Sequence, residues 1–224
     1  MKSVTMGNAE IQESFKIREW RKHLAAEGCT VSSVIPLQTI SKKNGEPLFS
    51  LLDTKIISPE GHRMPNIIFI RGNAVITVPH VRNSDTGEER FLMIRQRRIG
   101  NGQLCLEFPA GMIDRADDDP AEVAIRELLE ETGLSIKKES LEQLCPSPLF
   151  SSPGASDEAI FYFGCRITLN NDEYTMLSQR IGGNHAEDEF CFVQMLSREE
   201  AEPHLTSLQA KLAIRLFTEH FCSK

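Results

Sequence analysis

The segment from Arg126 to Leu134, with the sequence RELLEETGL, constrains this chain more than any other. Residues three and four positions apart lie on the same face of an α-helix, so Glu127, Glu130 and Glu131 would project together. Like charges at this spacing destabilise an isolated helix, and a sequence that keeps them therefore predicts a bound cation. Carboxylate oxygens suit Mg²⁺ or Mn²⁺. The alternative interpretation is a solvated acidic helix with an Arg126–Glu130 ion pair.

The residues around this segment predict a strand, a loop and a helix in succession. Asp119 is a good N-cap, Pro120 suits the first helical position, and Gly133 is placed to end the helix. Before the helix, residues 104–108 have the composition of a strand, and Pro109-Ala110-Gly111 that of a loop. The three glutamates are therefore expected beside a loop that follows a strand.

Sequence patterns divide the chain into a small N-terminal unit, residues 1–62, and a larger domain, residues 63–224. In the first unit, residues 8–26 predict a helix, and residues 30–40 and 48–57 predict a β-hairpin that turns at Asn44-Gly45. A helix and a hairpin alone have a thin core. We therefore expect this unit to pack on the main domain or on a second subunit.

The larger domain mixes strands with two helices, which predicts an α/β sandwich around a mixed sheet. Residues 67–70 and 74–81 are expected to form one long interrupted strand, and residues 198–221 a C-terminal helix. The polar, glycine-containing stretch 178–189 predicts a mobile loop. Further strands are expected over residues 91–96, 104–108, 160–167 and 190–195.

Charge and hydropathy argue against two classes of partner. The 25 Lys and Arg residues against 32 Asp and Glu residues give a formal net charge of −7, which argues against binding a nucleic-acid backbone. No apolar run approaches membrane-spanning length, and the N-terminus lacks the apolar core of a signal peptide. We therefore expect a cytoplasmic protein that binds neither nucleic acid nor membrane, with import into an organelle left open. The six scattered cysteines predict free thiols.

At Gly111 and at every position from Arg126 to Leu134 the chain resembles the Nudix hydrolases, whose box is Gly, five residues, Glu, seven residues, then Arg-Glu-apolar-x-Glu-Glu-x-Gly-apolar. One departure is that Asp118 stands in place of the first glutamate, and the gap from Gly111 is one residue longer. The resemblance implies that Glu127, Glu130 and Glu131 bind metal and serve catalysis, with Glu131 ranked first. Arg126 is then expected to orient Glu130.

Three stretches outside the helix resemble the ADP-ribose and ADP-sugar pyrophosphatase branch of that family. They are Glu107-Phe108-Pro109-Ala110-Gly111, the Ser152-Pro153-Gly154 segment that leads to Glu158, and Gln96-Arg97-Arg98. The resemblance implies that Arg98, Glu158 and Gly111 meet the substrate. It also implies that the Ala110 carbonyl and the Glu107 carboxylate are metal ligands. A solvent-facing position at the end of a strand is the alternative for Glu107.

The resemblance extends over most of the chain and is closest to plant-type ADP-glucose and ADP-ribose pyrophosphatases. In this branch an acid on a loop before a late strand often acts as general base or as an extra metal ligand. Glu189 is the preferred candidate over Glu187 and Asp188, with a solvated acidic loop as the alternative. The branch also implies a homodimer with an exchanged N-terminal unit that covers the adenosine. Trp20 and Phe49 are candidate aromatic surfaces, with a core position as the alternative for each.

The implied activity is metal-dependent hydrolysis of an ADP-sugar, such as ADP-ribose or ADP-glucose, to AMP and a sugar phosphate. Mg²⁺ or Mn²⁺ is the expected cofactor, since pyrophosphate carries crowded negative charge that a divalent cation neutralises. Two alternatives stay open. One is a Nudix hydrolase for another nucleotide, such as NADH or a dinucleoside polyphosphate. The other is a non-catalytic ADP-ribose sensor.

Overall fold

The computed structural model describes residues 14–42, 45, 47–116, 118–183 and 190–222. Within this described part the chain forms two compact units. The first takes the N-terminal residues up to Asn73 together with residues 114–117 and 150–159. The second takes residues 74–113, 118–149 and 160 onward. The first unit thus continues past residue 62 and includes two later stretches of the sequence.

The first unit is a helix packed on an antiparallel sheet. Helix α1 (Phe15–Ala26) is followed by strands β1 (Thr30–Ser41), β2 (Pro47–Ile57) and β3 (Ile67–Ile70), in the order β1-β2-β3. The expected hairpin is confirmed as β1 and β2, whereas Asn44 of its turn and residues 8–13 of the expected helix lie outside the described residues. A buried cluster joins helix and sheet, formed by Ile17, Trp20, Val34, Leu52, Ile56 and Ile70.

A larger mixed sheet contains nine strands among the described residues. They are β4 (Ala74–Asn83), β5 (Glu89–Arg97), β6 (Leu104–Glu107), β7 (Ala110–Met112), β8 (Glu142–Gln143), β9 (Leu149–Phe150), β10 (Ala159–Leu169), β11 (Ile181–Gly182) and β12 (Cys191–Leu196). The main order of the sheet is β11-β12-β5-β4-β10-β8, with β6 added to β5, β7 to β4 and β9 to β10. Strands β4 and β10 run parallel, while the β4–β5 and β5–β12 pairs are antiparallel.

Strands β4 and β5 pair at one end only, where residues 80–82 meet residues 89–91. Farther on, β5 pairs with β6 through Ile94 and Glu107, and β4 pairs with β7 through Ile76 and Ala110. The chain therefore passes from the edge of β5 to the edge of β4 between Glu107 and Ala110, and Thr77 N–H secures this passage with a 2.9 Å bond to the Pro109 carbonyl. Beyond residues 80–82 and 89–91, strands β4 and β5 are therefore no longer paired with each other, and Glu107 and Ala110 lie at this opening in the sheet.

Helices cover both faces of the β4 strand. They are α2 (Pro120–Thr132), α3 (Asn171–Ser178), α4 (Arg198–Ala201) and α5 (Leu208–Cys222), with short 3₁₀ helices at Lys138–Ser140 and Glu202–His204. Val75 and Val81 of β4 pack in the clusters that contain α2 residues, whereas Ile76 and Val78 pack in the cluster of α5. Odd and even strand positions point to opposite faces, so the expected α/β sandwich with a mixed sheet is confirmed.

Three local expectations differ from the structure. Residues 67–81 form β3 and β4, which belong to different sheets, because the chain turns at Gly72 with φ +79°. The expected helix 198–221 is interrupted between the 3₁₀ turn and α5. Part of the expected loop 178–189 is strand β11, and residues 184–189 lie outside the described residues.

The remaining sequence expectations concern thiols and membranes. Cys29, Cys105, Cys145, Cys165 and Cys191 are free thiols. None of the helices in the described ranges is long and apolar enough to span a bilayer.

Candidate active site

Helix α2, which carries the acidic segment, begins and ends where its sequence predicts. The Asp119 carboxylate accepts a 3.0 Å hydrogen bond from Ala121 N–H, and Pro120 occupies the first turn. Lys138 also pairs with Asp119, and its hydrogen bond, followed by the bond from Ala121, lowers the pKa of that carboxyl. Gly133 ends the helix in the left-handed conformation, with φ +76° and a 2.8 Å bond to the Leu129 carbonyl. The helix is therefore fixed at both ends by local chemistry.

Glu127 lies flat against strand β7. An ideal Cβ on Gly111 would fall 2.1 Å from the Glu127 carboxyl carbon and 2.5 Å from its Oε1, so only glycine leaves room for this side chain. The Arg126 guanidinium donates to Glu127 Oε1 over 3.1 Å, where the sequence suggests Glu130 as the partner. Partial burial opposes the charge of Arg126, but the bond to Glu127 and the nearby Glu130 and Asp118 raise its pKa.

Glu131 is buried, and its Oε2 accepts a 3.0 Å hydrogen bond from the Ala110 N–H. Glu127 and Glu131 therefore converge on consecutive residues of β7. Glu130, the third acid of the segment, is exposed on the same helix. A buried carboxylate with a defined backbone donor has little freedom to move, and this gives Glu131 the best-fixed position of the three acids.

Arg98 and Glu107 form an ion pair across the β5–β6 edge. Arg98 Nε donates to Glu107 Oε2 at 2.7 Å, and the Glu107 side chain is largely buried while the Arg98 side chain is 44% exposed. Sequence reasoning placed these residues in separate roles, as substrate ligand and metal ligand. The structure brings them together at the opening between β5 and β4.

Glu158 belongs to the first unit and has two cationic or polar partners there. Arg71 Nε lies 3.1 Å from Glu158 Oε1 in an ion pair, and Ser151 Oγ donates to Glu158 Oε2 at 2.5 Å. Asp157 accepts hydrogen bonds from the backbone N–H groups of Arg71 and Gly72, at 2.8 Å for Arg71. Arg71 and Asp157 were not singled out from the sequence, although Asp157 directly precedes Glu158.

The buried Lys16 and the half-buried Asp114 form a second ion pair in the first unit. Lys16 Nζ donates to the Leu48 carbonyl at 3.0 Å and lies 3.8 Å from Asp114 Oδ1, while Lys42 Nζ donates to Asp114 Oδ2 at 2.5 Å. Burial lowers the pKa of Lys16 to about 8, against the opposing charge of Asp114. The sequence suggested no role for either residue.

The aromatic candidates have different environments. Trp20 is a core residue of the first unit. The Phe49 ring centroid lies 5.4 Å from that of Phe69, with the Lys16 ammonium 6.0 Å and the Arg71 guanidinium 5.8 Å away. The candidate general base Glu189 lies outside the described residues, as do Glu187 and Asp188.

The donor set suits a hard divalent cation. Glu127, Glu131, Glu130 and Glu107 supply carboxylate oxygens, and Ala110 can add a carbonyl. Across the described ranges, no three His, Cys, Asp or Glu side chains form a metal-binding group as they stand. Glu127 is engaged by Arg126 and Glu107 by Arg98, so metal binding would require these carboxylates to exchange partners. The space that Gly111 leaves for the Glu127 carboxylate places this carboxylate beside strand β7, where such a site can form.

Three known proteins resemble this chain over much of its length. Nudix hydrolase 14, chloroplastic, from Arabidopsis thaliana is 27% identical over 92% of this chain and 70% of its own. An ADP-sugar pyrophosphatase from Mus musculus is 30% identical over 68% of this chain and 69% of its own. A solved structure of an ADP compounds hydrolase matches with a TM-score of 0.56 and 20% identity, covering 87% of this chain and 95% of the other, which shows a common fold.

The NUDIX domain family matches residues 72–217, which is more than half of the chain. The matched range includes the loop and helix described above, where Glu127 lies against Gly111 and Glu131 accepts a hydrogen bond from Ala110 N–H of the same strand. Nudix hydrolases generally use divalent metal ions, in agreement with the oxygen donors gathered here. This chain is therefore a hydrolase of the Nudix family.

Proposed function

We propose that the chain hydrolyses the diphosphate of ADP-sugars, with ADP-ribose as the first candidate and ADP-glucose as the second, to AMP and a sugar phosphate. The observation that carries the proposal is the convergence of Glu127 and Glu131 on β7, at Gly111 and at the Ala110 N–H. The match to a mouse protein named ADP-sugar pyrophosphatase supports the choice of substrate class.

Mg²⁺ or Mn²⁺ is the cofactor that we propose. Glu127 and Glu131 would hold it, with Glu130, Glu107 and the Ala110 carbonyl as further ligands. A bound divalent cation neutralises diphosphate oxygens and acidifies the water that attacks phosphorus. Arg126 then acts as a positioning residue, because its bond to Glu127 Oε1 restrains that carboxylate.

Arg98 and Glu158 are the proposed substrate contacts. The planar guanidinium fork of Arg98 matches diphosphate oxygens, and its 44% exposed side chain is accessible to a ligand. Glu107 is one of the residues that would hold the metal, and with Glu107 in that role Arg98 would be available to an anion. The Glu158 carboxylate is oriented by Arg71 and Ser151, so it presents a fixed acceptor for ribose hydroxyls. Glu189 is proposed as the general base.

A homodimer formed through the N-terminal unit is also proposed. The β2 side chains that pack under α1 are at even positions, and the opposite sheet face carries Phe49 and Leu51. On that face Ile35, Ile40, Ile67 and Phe69 are each exposed by between 38% and 49%. A second copy of the chain that packed on this apolar face would remove it from water.

A substrate panel tests the proposed activity. The purified chain is incubated with Mg²⁺ or Mn²⁺ and with ADP-ribose, ADP-glucose, NADH, diadenosine polyphosphates, coenzyme A and capped RNA, and the products are separated by chromatography. We expect AMP from ADP-ribose, from ADP-glucose or from both. Absence of AMP from every ADP-sugar would reject the proposal. Cleavage of another compound in the panel would establish the alternative Nudix substrate.

The non-catalytic sensor is separated from the enzyme by calorimetry. Binding of ADP-ribose in the presence of Mg²⁺, with no cleavage over hours, would support the sensor. The three acids on α2 count against it, since a protein that only binds ADP-ribose has no need of clustered metal ligands.

A further inference from the structure

The last carbonyls of helix α2 have partners from outside the helix. The final turn of a helix leaves its carbonyls without intrahelical donors. Leu129 O accepts from Gly133 N–H, as expected for a glycine C-cap. Glu130 O accepts instead from Gly183 N–H at 3.2 Å, and Glu131 O accepts from the Cys191 thiol at 3.3 Å. The backbones of two proposed metal ligands are therefore held by residues next to and within β11 and β12.

Gly182 approaches this helix end more closely than any side chain would allow. An ideal Cβ on Gly182 would lie 1.7 Å from the Glu131 carbonyl oxygen and 2.5 Å from its carbonyl carbon. The backbone of Gly182 thus lies directly against the backbone of Glu131. Because the contact is between main-chain atoms, no flexible side chain can move aside to make room. Beside them, the Arg180 guanidinium lies over Gly133, where a Cβ would come within 2.3 Å of the guanidinium carbon.

Glu131 is consequently fixed from two sides. Its carboxylate is bonded to Ala110 N–H on β7, and its carbonyl is seated against Gly182 on β11. A side chain added at Gly182, or a movement of its backbone toward the helix, must move Glu131, because the Glu131 carbonyl has no free space on that side. A shift of about 1 Å in a catalytic group can lower the rate about 10²-fold.

We propose that Gly182 is a positioning residue for Glu131, and that the Cys191 thiol helps to fix the Glu131 carbonyl by donating a hydrogen bond to it. The proposal rests on the function proposed above, in which Glu131 binds metal. Gly182 acts through Glu131 and touches neither the substrate nor the metal. Its effect is therefore expected on kcat and on metal binding rather than on KM.

Gly182→Ala is the main test, with Gly100→Ala as the matched control because a Cβ at Gly100 meets no atom within 4 Å. We expect Gly182→Ala to lower kcat about 10²-fold with KM changed less than about threefold. The hydrogen exchange of the Ala110 amide, followed by NMR, should speed up in Gly182→Ala and stay at the wild-type rate in Gly100→Ala. Calorimetry should show weaker Mn²⁺ binding by Gly182→Ala alone.

Cys191 provides a second, gentler test, since serine keeps a donor at this position and alanine does not. Cys191→Ala should lower kcat about fivefold, which corresponds to the free energy of one hydrogen bond, and Cys191→Ser should recover most of that loss.

Wild-type kcat in Gly182→Ala would overturn the proposal. So would a loss of kcat with unchanged Ala110 exchange and Mn²⁺ binding, since only stability would then have changed. If the wild-type chain cleaves no ADP-sugar, the proposed function fails, and the Ala110 exchange and Mn²⁺ measurements still decide the role of Gly182.

Discussion

The Glu127 side chain lies so close to Gly111 that an ideal Cβ on residue 111 would reach 2.1 Å from its carboxyl carbon. The glycine that begins the Nudix box is thus explained by packing. It leaves the space in which a helix carboxylate reaches the strand.

Gly111→Ala tests this relationship. The new methyl group must displace Glu127 from β7, and we expect kcat on ADP-ribose to fall about 10²-fold or more. Steady-state kinetics and thermal unfolding would be measured together, with Gly100→Ala as control. Wild-type turnover in Gly111→Ala would show that Glu127 need not lie at this position.

Glu131→Gln tests the proposed central metal ligand. The amide keeps the size of the side chain and can still accept the Ala110 N–H, but it lacks the charge that holds a divalent cation. We expect turnover to fall by about three orders of magnitude or more, with an unchanged circular dichroism spectrum. Glu122→Gln is the control on the same helix, since Glu122 faces Lys138 at 3.6 Å. Retained turnover would remove Glu131 from the centre of the mechanism.

Arg98→Lys tests the proposed diphosphate contact. Lysine keeps the charge but loses the planar fork, so we expect KM for ADP-ribose to rise about tenfold or more. The neighbouring Arg97→Lys is the control, because Arg97 bonds the Gly102 carbonyl within its own loop. Equal KM values in both variants would contradict the assignment.

The alkaline behaviour of Lys16 gives a prediction about stability. Burial lowers its pKa to about 8, below the unfolded value of about 10.4, so the unfolded state holds the proton more tightly. Burial of the charged ammonium therefore lowers the free energy of unfolding below pH 8, and this cost is relieved as the pH rises from 8 to about 10. Asp114 and Asp157 favour the charged form, and Lys42 and Arg71 oppose it.

Lys16→Met removes this titration. The Tm of the wild type should rise by a few degrees relative to the variant between pH 7 and pH 10. Lys22→Met, which changes an exposed lysine of the same helix, is the control. A difference in Tm that does not change with pH would contradict the prediction.

The dimer is tested by sedimentation. The wild type should have the mass of a homodimer, and the paired change Ile35→Lys with Ile40→Lys should give a monomer, because two charges would enter an apolar interface. Met176→Lys, at a 76% exposed position on α3, is the control. A monomeric wild type with full activity would reject the dimer.

Local signals suffice to predict helix α2, because Asp119, Pro120 and Gly133 act within one turn of its ends. They do not predict the separation of β3 from β4. The turn between these two strands is held by the Asp157 carboxylate, which accepts a hydrogen bond from Arg71 N–H across 86 positions of the sequence. The Arg98–Glu107 pair depends on the register of β5 and β6, and the seat of Glu131 on Gly182 depends on tertiary packing. The spacing of residues along the chain therefore predicts neither of these two contacts.

The parallel pairing of β4 and β10 also affects how the protein folds. Its register joins Ile160 to Ala74 and Leu169 to Asn83, partners that are 86 positions apart in each case (160 − 74 and 169 − 83). A chain must lose the entropy of closing so long a loop before these contacts can form. During synthesis this pairing cannot be completed until residue 169 has left the ribosome, and until then the backbone N–H and C=O groups along one edge of β4 lack their β10 partners and can pair with other chains.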